Sequence, residues 1–418
     1  MQDLWLKALD DNEISAVIMC DMSAAFDLVN HSILLKKLQL YGFQESALSW
    51  LESYLNGRMQ RVIVDGCLSD PLDLTTGVPQ GSIIDPLLYI CFTNDMPECV
   101  HDHCIDAQES MGNVMFNLNC VPCGSICCYA DDSTYSKSSQ NANVLKEDID
   151  MKYKSIVEYM NSNKLVINTE KTHLLVMCSK ISHDRYGNHG IFLNTGSENI
   201  YPVQHEKLLG GHISNDFTWK YYVRDGKDSL YRTIISRINI LSKVSKFSSF
   251  KTRKTVANGI VMSKFIYLIQ VWGLSSSGYL IRSLQLLQNR AARLVTGLDW
   301  YTPIDKLLQQ CGWLSINQLV YFHSLALAYQ VKTNSMPKYL SDNFSCEFSR
   351  QTRLATGGGI RRVEKSRTSL RQAAFQVRAA QLWNDLPIDI RRCRTVVSFK
   401  VKLKEWVKSS ISTYPYGG

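Results

Sequence analysis

The first part of the chain alternates short apolar runs with segments of helical periodicity. Residues 15–20 form a short apolar run that ends abruptly at Asp21. This pattern predicts a strand that is buried on both faces and carries a carboxylate at its end. Apolar positions then recur at helical spacing in residues 31–41 and 48–55, and Asp65-Gly66 predicts a hairpin turn.

A loop, a helix and an acidic hairpin come next. Residues 76–82 are bracketed by glycines and predict a loop, while the apolar positions of residues 83–91 predict a buried helix. An apolar strand begins at residue 126, turns through Asp131-Asp132 and returns as a second strand. The sequence therefore places two adjacent carboxylates at the tip of an apolar hairpin.

Helical patterns dominate the remainder of the chain. Residues 141–163 carry one apolar stripe and predict an amphipathic helix, and residues 164–178 predict a hairpin that turns through residues 168–172. Strand patterns fade from residue 223. Six helical segments are predicted beyond it: 228–243, 251–272, 282–296, 302–332, 366–384 and 396–408. Strands that alternate with helices, followed by helices alone, indicate the α+β class.

The amino-acid composition excludes several classes of protein. The 418 residues are 45% hydrophobic and 20% charged, which excludes disordered and collagen-like chains. No run of about 18 uncharged apolar residues occurs, so we expect no membrane span. The acidic N-terminal segment is no secretory signal, and 13 cysteines are too few for a disulfide scaffold. We expect a nuclear or cytoplasmic protein that is not secreted.

Charge is distributed unevenly along the chain. Residues 1–180 carry 12 Lys and Arg against 24 Asp and Glu, a net charge of −12. Residues 181–418 carry 34 against 14, a net charge of +20. This asymmetry indicates an acidic site in the first half and a polyanion-binding surface in the second. A solvated basic face is the alternative interpretation of the second half.

Three carboxylates are candidates for a metal site. Asp21 ends a predicted buried strand, and Asp131 and Asp132 lie at the tip of an apolar hairpin. Like charges crowded at the ends of apolar strands are costly unless a cation neutralises them. Oxygen ligands of this kind favour Mg²⁺, which also takes substrate phosphates as ligands. Taken singly, each Asp also fits a structural role as a turn or cap residue.

Five short motifs follow one another along the chain. They are Asp21-Met-Ser-Ala-Ala-Phe-Asp27, Gly77-Val-Pro-Gln-Gly-Ser82, Tyr129-Ala-Asp-Asp132, Asn168-Thr-Glu-Lys-Thr172 and Lys207-Leu-Leu-Gly-Gly211. In order and spacing they resemble motifs A to E of reverse transcriptases. Further segments resemble the downstream part of non-LTR (LINE-type) retrotransposon reading frames: Asn94-Asp-Met-Pro97, Val271-Trp-Gly273, Gln288-Asn-Arg-Ala-Ala292 and Leu382-Trp-Asn-Asp-Leu-Pro387. The resemblance covers most of the chain from residue 14 onward.

The resemblance implies two metal ions and three acidic ligands. Asp21 and Asp131 would ligate both ions, and Asp132 would support the ion that activates the primer 3′-hydroxyl. The implied cofactor is a pair of Mg²⁺ ions, with Mn²⁺ as a substitute. Lys171 would stand near the pyrophosphate and act as its general acid; its alternative role is that of a solvated turn residue.

The resemblance also implies residues that bind the nucleotide. Phe26 falls five residues after Asp21, where an aromatic ring under the sugar leaves no room for a 2′-hydroxyl. An ordinary core Phe is the alternative. Gln80 would reach the incoming nucleotide or the templating pair by hydrogen bonds. Gly77 and Gly81 would permit close backbone approach.

The implied fold is a right-hand polymerase, in which a palm of helices packed on an antiparallel sheet is followed by a helical thumb. We expect a palm with partial fingers over residues 1–222, the thumb over 223–310 and a basic, mostly helical C-terminal region over 311–418. The implied partners are an RNA template, a DNA primer and deoxynucleoside triphosphates. The thumb would contact phosphates without reading sequence. Further candidates for phosphate contacts are Arg361, Arg362, Lys365, Arg367 and Arg371. A disordered or solvated tail is the alternative for these residues.

A segment rich in Cys and His interrupts the motifs. Its soft ligands are Cys99, His101, His103, Cys104, Cys120, Cys123, Cys127 and Cys128. Their spacing matches no standard zinc finger, and thiols within a strand pattern also pack as small apolar groups. Zinc binding and simple packing therefore both remain open for residues 97–128.

Two regions of the family have no counterpart in this sequence. Only twenty residues precede Asp21, so we expect the upstream fingers to be missing, and we expect no endonuclease domain. A separate polypeptide that carries fingers or endonuclease is an expected partner. Asp85 stands where relatives commonly carry Gly. The sequence predicts a truncated RNA-directed DNA polymerase, and the alternative is a catalytically inactive nucleic-acid-binding remnant.

Overall fold

The chain divides into two compact units that are described separately. The computed structural model describes residues 1–101, 119–120, 124–179, 190–196, 198–333, 335–341, 358–360 and 366–413. The first unit, here called the sheet unit, consists of Met1 and Asn12–Val203, and the second, the helical unit, consists of Gln2–Asp11 and Gln204–Gly418. The first helix, α1 (Gln2–Asp10), therefore belongs to the helical unit. The expected functional boundary at residue 222 stays a prediction.

The sheet unit is built around one mixed sheet. Its described strands are β1 (Ile14–Met22), β2 (Met59–Gln60), β3 (Ile63–Val64), β4 (Cys67–Leu68), β5 (Leu72–Asp73), β6 (Asn119–Cys120), β7 (Gly124–Tyr129), β8 (Asp132–Ser139), β9 (Ile167–Met177), β10 (Leu193–Asn194), β11 (Asn199–Ile200) and β12 (Pro202–Val203). The main sheet has the order β12-β9-β1-β8-β7-β6. All neighbouring strands are antiparallel except β12, which runs parallel to β9. β1 lies at the centre, as its continuous apolar run predicts.

Helices cover this sheet and bury its core. They are α2 (His31–Leu40), α3 (Glu45–Leu55), α4 (Asp85–Thr93), α5 (Glu98–His101) and α6 (Ala142–Ser162). The side chain of Asn141 accepts hydrogen bonds from the first turn of α6 and so caps it. The apolar stripe of α6, including Leu145, Ile149 and Ile156, is buried in one core with Ile18 of β1. Each such side chain contributes about 1.5–3 kcal/mol by leaving water.

The hairpin predicted over residues 164–178 is wrong. Residues 167–177 form the single strand β9, which pairs with β1. The register shifts between Met19 and Asp21, because Met19 pairs with His173 whereas Asp21 pairs with Asn168. The polar stretch 169–172, which resembles a turn in the sequence, is therefore a bulge within a strand.

One helix face that was expected to be buried is exposed. The predicted helix over residues 83–91 is α4, and Pro86 lies in its first turn, where a missing backbone N–H costs nothing. However, Ile83, Leu87 and Ile90 are exposed, while Leu88 is buried in the core. The buried-helix prediction is therefore wrong for the outer face of α4.

The helical unit has a short hairpin followed by helices. Its strands are β13 (His205–Leu208) and β14 (Gly211–Ser214). Its helices are α7 (Leu230–Ser245), α8 (Phe250–Ala257), α9 (Ser263–Ile266), α10 (Ile269–Trp272), α11 (Gly278–Thr296), α12 (Ile304–Cys311), α13 (Ile316–Lys332), α14 (Lys338–Ser341), α15 (Ser369–Ala373), α16 (Phe375–Asp385), α17 (Ile388–Arg391) and α18 (Val396–Ser410). None of the helices in the described ranges is long and apolar enough to cross a bilayer.

Three predicted helices are interrupted. The segment 251–272 is broken by a π-helical turn over Asn258–Met262 and by Leu268, whose φ is +54°. The segment 302–332 ends its first part at Gly312, which has a φ of +70° and is the left-handed cap of α12. These breaks let shorter helices pack around Phe265, Trp272 and Leu284 in one core. The segment 366–384 is broken at Ala374, whose extended backbone separates α15 from α16.

The N-terminal helix is held by the C-terminal region. The carboxylate of Asp10 accepts hydrogen bonds from the backbone N–H groups of Arg367 (2.9 Å) and Thr368 (2.6 Å). Arg371 is buried, and its guanidinium donates to the carbonyl of Asp3 at 2.8 Å. The expectation that Arg371 contacts nucleic-acid phosphates is therefore wrong, because its charge serves a structural contact. Residues 361–365, which include three other phosphate candidates, lie outside the described residues.

Candidate active site

Asp21 lies at the end of the central strand. β1 pairs with β8 on one side and with β9 on the other, and its side chains are buried up to Cys20. The Asp21 side chain is the first that is not fully buried, with an exposure of 26%. The apolar run thus delivers one carboxylate to the edge of the core, as the sequence predicts.

The acidic hairpin is a tight turn next to Asp21. Tyr129 pairs with Asp132, so that Ala130 and Asp131 form a two-residue turn between β7 and β8. Ala130 has a φ of +52°, a conformation that costs an L-residue about 1–2 kcal/mol. Cys20 pairs with Ser133, so Asp21 and Asp132, the next residues of the two antiparallel strands, lie at the same end of the sheet, and the charge of Asp21 acts on Asp132.

The Asp132 carboxyl lies close enough to Asp131 and Asp21 for their charges to act on it. Burial raises the pKa of Asp132, and the charges of Asp131 and then Asp21 raise it further. Burial also raises the pKa of the Tyr89 hydroxyl, with a further contribution from Asp131. Repulsion of this kind is what a bound cation relieves.

The donor set fits a hard metal ion in its chemistry. Carboxylate oxygens at the ends of adjacent strands are the ligands that Mg²⁺ prefers. Among the residues that the structure describes, no group of three or more His, Cys, Asp or Glu side chains is arranged to hold a metal ion. The metal role of Asp21, Asp131 and Asp132 therefore stays a prediction.

Lys171 reaches Asp21 from the bulge in β9. Its Nζ lies 3.3 Å from Oδ2 of Asp21, and its side chain is 67% exposed. The bulge is held by Asn168, whose side chain accepts a hydrogen bond from the backbone N–H of Lys171 and whose carbonyl accepts one from the Thr172 hydroxyl. The ammonium group of Lys171 thus lies next to Asp21, and hydrogen bonds of Asn168 constrain the backbone that carries it.

Phe26 lies in the turn that follows β1 and packs on α4. Its ring centroid is 4.5 Å from that of Tyr89, with an angle of 30° between the planes. The Tyr89 hydroxyl donates to Sδ of Met22 at 3.3 Å. Phe26 is only partly buried against the core, so one part of its ring remains accessible.

The glycine-bracketed loop is fastened to the turn after β1. The N–H of Gly77 donates to the carbonyl of Val29 (2.8 Å), and the N–H of Val78 donates to that of Phe26 (2.9 Å). Nε2 of His31 donates to the carbonyl of Gly77 at 2.7 Å. A Cβ at Gly77 would lie 2.9 Å from the carbonyl oxygen of Asp27, so only glycine fits there.

Gln80 and Gly81 lie at the exposed end of this loop. Nε2 of Gln80 donates to Oδ1 of Asp27 at 2.9 Å, so Asp27 fixes the orientation of the amide. Gly81 has a φ of +94° and no neighbour within 4 Å of the position of a Cβ. Asp27 and His31 lie within or just beyond the first motif, but no pattern in the sequence indicates their roles.

Asp85, the first residue of α4, fastens the glycine-bracketed loop to this helix. It is buried, its carboxylate accepts from the N–H of Ser82 (3.2 Å) and from the hydroxyl of Tyr54 (3.3 Å), and its own N–H donates to the Ser82 hydroxyl (3.2 Å). Asp85 thus closes the loop onto α4 instead of lying at the carboxylate site.

Part of the segment rich in Cys and His lies in β7. Cys127 of β7 is exposed, so the expectation that it packs as a small apolar group is wrong. The thiol of Cys128 contacts Sδ of the buried Met96 at 3.7 Å, and burial raises its pKa to about 11, so packing holds for this thiol. Residues 102–118 and 121–123, which include His103, Cys104 and Cys123, lie outside the described residues. Zinc binding by residues 97–128 therefore stays a hypothesis.

Comparisons with known proteins agree with the motifs. Residues 6–213 match the family model for reverse transcriptase (RNA-dependent DNA polymerase). The probable RNA-directed DNA polymerase from transposon BS of Drosophila melanogaster is 27% identical over 323 residues, which are 76% of this chain and 33% of that protein. The RNA-directed DNA polymerase from mobile element jockey of Drosophila funebris is 28% identical over 304 residues, covering 71% of this chain and 30% of the relative. The chain thus spans about a third of the length of these relatives.

One solved structure also aligns with this chain. It is a telomerase from Candida tropicalis in complex with a fragment of telomeric RNA, and it is 13% identical. The alignment covers 81% of this chain and 51% of that chain, with a TM-score of 0.37. This score is too low to establish a shared fold, and the α+β class stands on the sheet and helices described above.

Proposed function

We propose, on the premise that this chain belongs through residues 6–213 to the LINE-type reverse transcriptases, that it is an RNA-directed DNA polymerase. In this reaction the 3′-oxygen of a DNA primer attacks the α-phosphorus of a deoxynucleoside triphosphate. A new phosphorus–oxygen bond forms, the bond to the bridging oxygen breaks, and pyrophosphate leaves. The observation that supports the proposal is that β1 and the β7–β8 hairpin bring Asp21 and Asp132 to the same end of the sheet, where the charge of Asp21 acts on Asp132.

The carboxylates are the proposed holders of the metal ions. Asp21, Asp131 and Asp132 would hold two Mg²⁺ ions, for which Mn²⁺ would substitute. Ions bound there would supply Lewis acidity for the primer hydroxyl and for the phosphates. The raised pKa of Asp132 supports this role, because clustered negative charge favours a bound cation.

The remaining residues would bind and orient the nucleotide. Lys171, held at Asp21 by the bulge, would face the pyrophosphate oxygens and donate a proton to the leaving group. Phe26, backed by Tyr89, would exclude a 2′-hydroxyl from the sugar position. Gln80, oriented by Asp27, would hydrogen-bond the nucleotide or its templating base, and Gly81 would leave room for them.

The two units would correspond to two parts of a right-hand polymerase. We infer that the sheet unit is the palm and that helices of the helical unit serve as the thumb. RNA template, DNA primer and deoxynucleoside triphosphates are then the partners. Thumb contacts would be made to phosphates and would weaken as salt concentration rises.

Primer extension on an RNA template with Mg²⁺ tests the proposal. The variant Asp131→Asn/Asp132→Asn removes two acidic ligands with little change in shape, and we expect extension to fall about a thousandfold or more. The matched control is Asp65→Asn/Asp70→Asn, which neutralises two exposed carboxylates elsewhere in the sheet unit. Extension that is equal in wild type and the Asp131/Asp132 variant would contradict the proposal. Binding of the primer–template by wild type with no extension would favour the inactive remnant.

A further inference from the structure

The helical unit contains a long stretch without acidic side chains. Residues 229–298 hold eleven Lys and Arg and no Asp or Glu, and the structure describes all of them. Such an uncompensated positive charge attracts polyanions and keeps them near the surface. The stretch lies outside residues 6–213, which match the family model.

Two arginines of this stretch, Arg253 and Arg293, lie near the C-terminal end of α11. The Arg293 guanidinium lies 4.3 Å from the ring centroid of Trp300, and its Nη2 donates to the Trp300 carbonyl at 3.3 Å. The Arg253 guanidinium nitrogens lie 3.8 Å from the position of a Cβ at Gly297. Among the described residues, neither arginine forms an ion pair with a carboxylate. Nε of each is buried and has no hydrogen-bond partner there.

The turn after α11 presents two aromatic rings to solvent. Trp300 is 73% exposed and Tyr301 is 95% exposed. The turn is closed by the N–H of Thr302, which donates to the carbonyl of Asp299 at 3.1 Å. Asp299 is the one acidic residue of the turn, and the two guanidinium groups outweigh its charge. Exposed aromatic rings that adjoin unpaired cations are the combination that stacks nucleobases and contacts their phosphates.

We propose that Trp300, Tyr301, Arg253 and Arg293 form a platform that binds single-stranded nucleic acid. Unpaired bases stack on the two rings, and the guanidinium groups contact the adjoining phosphates. A duplex does not fit this chemistry, because its bases are already stacked on each other and present only their edges. RNA and DNA strands share the recognised chemistry, since both carry bases and phosphates. The proposal rests on the proposed function, for which an unpaired template strand is a necessary substrate.

Binding of the full-length protein to fluorescent oligonucleotides tests the platform. Three strands of about 12 nucleotides are compared by anisotropy: an RNA, a DNA of the same sequence, and an abasic DNA that keeps only the phosphates. We expect Trp300→Ala and Tyr301→Ala each to weaken binding of the base-containing strands roughly tenfold, and to leave binding of the abasic strand unchanged. Trp300→Phe restores a stacking surface and should restore affinity. A larger effect on RNA than on DNA would identify the template as the ligand, and the reverse would identify the DNA strand.

The arginines and a surface control complete the experiment. Arg293→Gln should weaken binding of all three strands and lower the salt dependence by about one phosphate contact. Tyr201→Ala is the matched control, because Tyr201 is 67% exposed but lies in the sheet unit. Thermal unfolding of each variant shows that the fold is kept.

The outcomes separate this proposal from the proposed function. If Trp300→Ala weakens the abasic strand as much as the others, or weakens none of them, the platform is overturned. Extension by the same protein would then leave the polymerase assignment intact. If wild type binds neither single strands nor primer–template duplex, both the platform proposal and the polymerase assignment are contradicted.

Discussion

The ammonium group of Lys171 lies 3.3 Å from Oδ2 of Asp21. The two residues lie on adjacent strands, and the bulge between the paired positions of β9 and β1 brings them together. An ion pair as exposed as this one contributes about 0–1 kcal/mol to stability. The constrained position of Lys171 therefore matters more for the chemistry of the site than for the fold.

Replacing Lys171 separates its contribution to the reaction from its contribution to stability. We expect Lys171→Gln to slow single-turnover extension by about a hundredfold, because a positioned proton donor and a positive charge are both lost. The unfolding midpoint should change little. Lys154→Gln, at an exposed position of α6, is the matched control and should extend at the wild-type rate. A normal rate for Lys171→Gln would assign Lys171 to the solvated surface.

Phe26 is expected to select the sugar. Phe26→Val removes the ring that packs on Tyr89 and opens space beneath the nucleotide. The preference for deoxynucleotides over ribonucleotides should fall by between about ten- and a hundredfold, measured as the ratio of kcat/KM values. Phe26→Tyr keeps the ring and should keep the preference. An unchanged ratio in Phe26→Val would show that the ring serves only the core.

The two glycines of the loop should differ in their tolerance of alanine. Gly77 has a φ of +88°, and a Cβ there would contact the Asp27 backbone at 2.9 Å. We expect Gly77→Ala to cost about 2–4 kcal/mol, the sum of overpacking and backbone strain. Gly81→Ala meets no neighbour and should cost about 1–2 kcal/mol from its φ of +94° alone. Urea denaturation measures both, and equal costs would contradict the close approach at Gly77.

The stability of the helical unit should depend on the protonation of Asp10. Burial acts to raise the pKa of this carboxyl, but hydrogen bonds from Arg367 and Thr368 outweigh it, so that the pKa is lowered from 3.8. A lowered folded-state pKa means that the carboxylate stabilises the fold above the unfolded-state pKa. The contribution is then lost as the pH falls through the lower folded-state value.

Asp10→Asn tests this dependence. Above about pH 5 the variant should lose about 1.5–3 kcal/mol of stability, the worth of hydrogen bonds to a charged group. At a pH below the lowered folded-state pKa of Asp10 it should match wild type, because the wild-type carboxyl is then protonated. Asp11→Asn, at the adjacent exposed position, is the control. Parallel stability curves for Asp10→Asn and wild type across this pH range would argue against the predicted titration.

Local patterns predicted the carboxylate end of the candidate site. β1 ends at Asp21 because an apolar run stops there, and the turn at Asp131 follows from the strands on either side of it. The bulge that carries Lys171 could not be predicted, because a bulge depends on the register with a strand more than a hundred residues earlier in the chain. The sequence indicated a turn there, which has the same polar composition.

Contacts distant in sequence account for other errors. Arg371 belongs to a basic run that resembles a solvated surface, yet the carbonyl that accepts its hydrogen bond lies 368 positions earlier, in α1. Asp85 has no distinguishing pattern around it, and its buried carboxylate accepts hydrogen bonds from Tyr54 and Ser82 together. Such partners become visible only when the chain is folded.

The placement of α1 has a consequence for synthesis on the ribosome. Its partners at Arg367 and Thr368 emerge 357 or more residues after Asp10, so α1 waits for tens of seconds at a rate of about 5–20 residues per second. During that interval the sheet unit, continuous from Asn12, can complete its own core without α1.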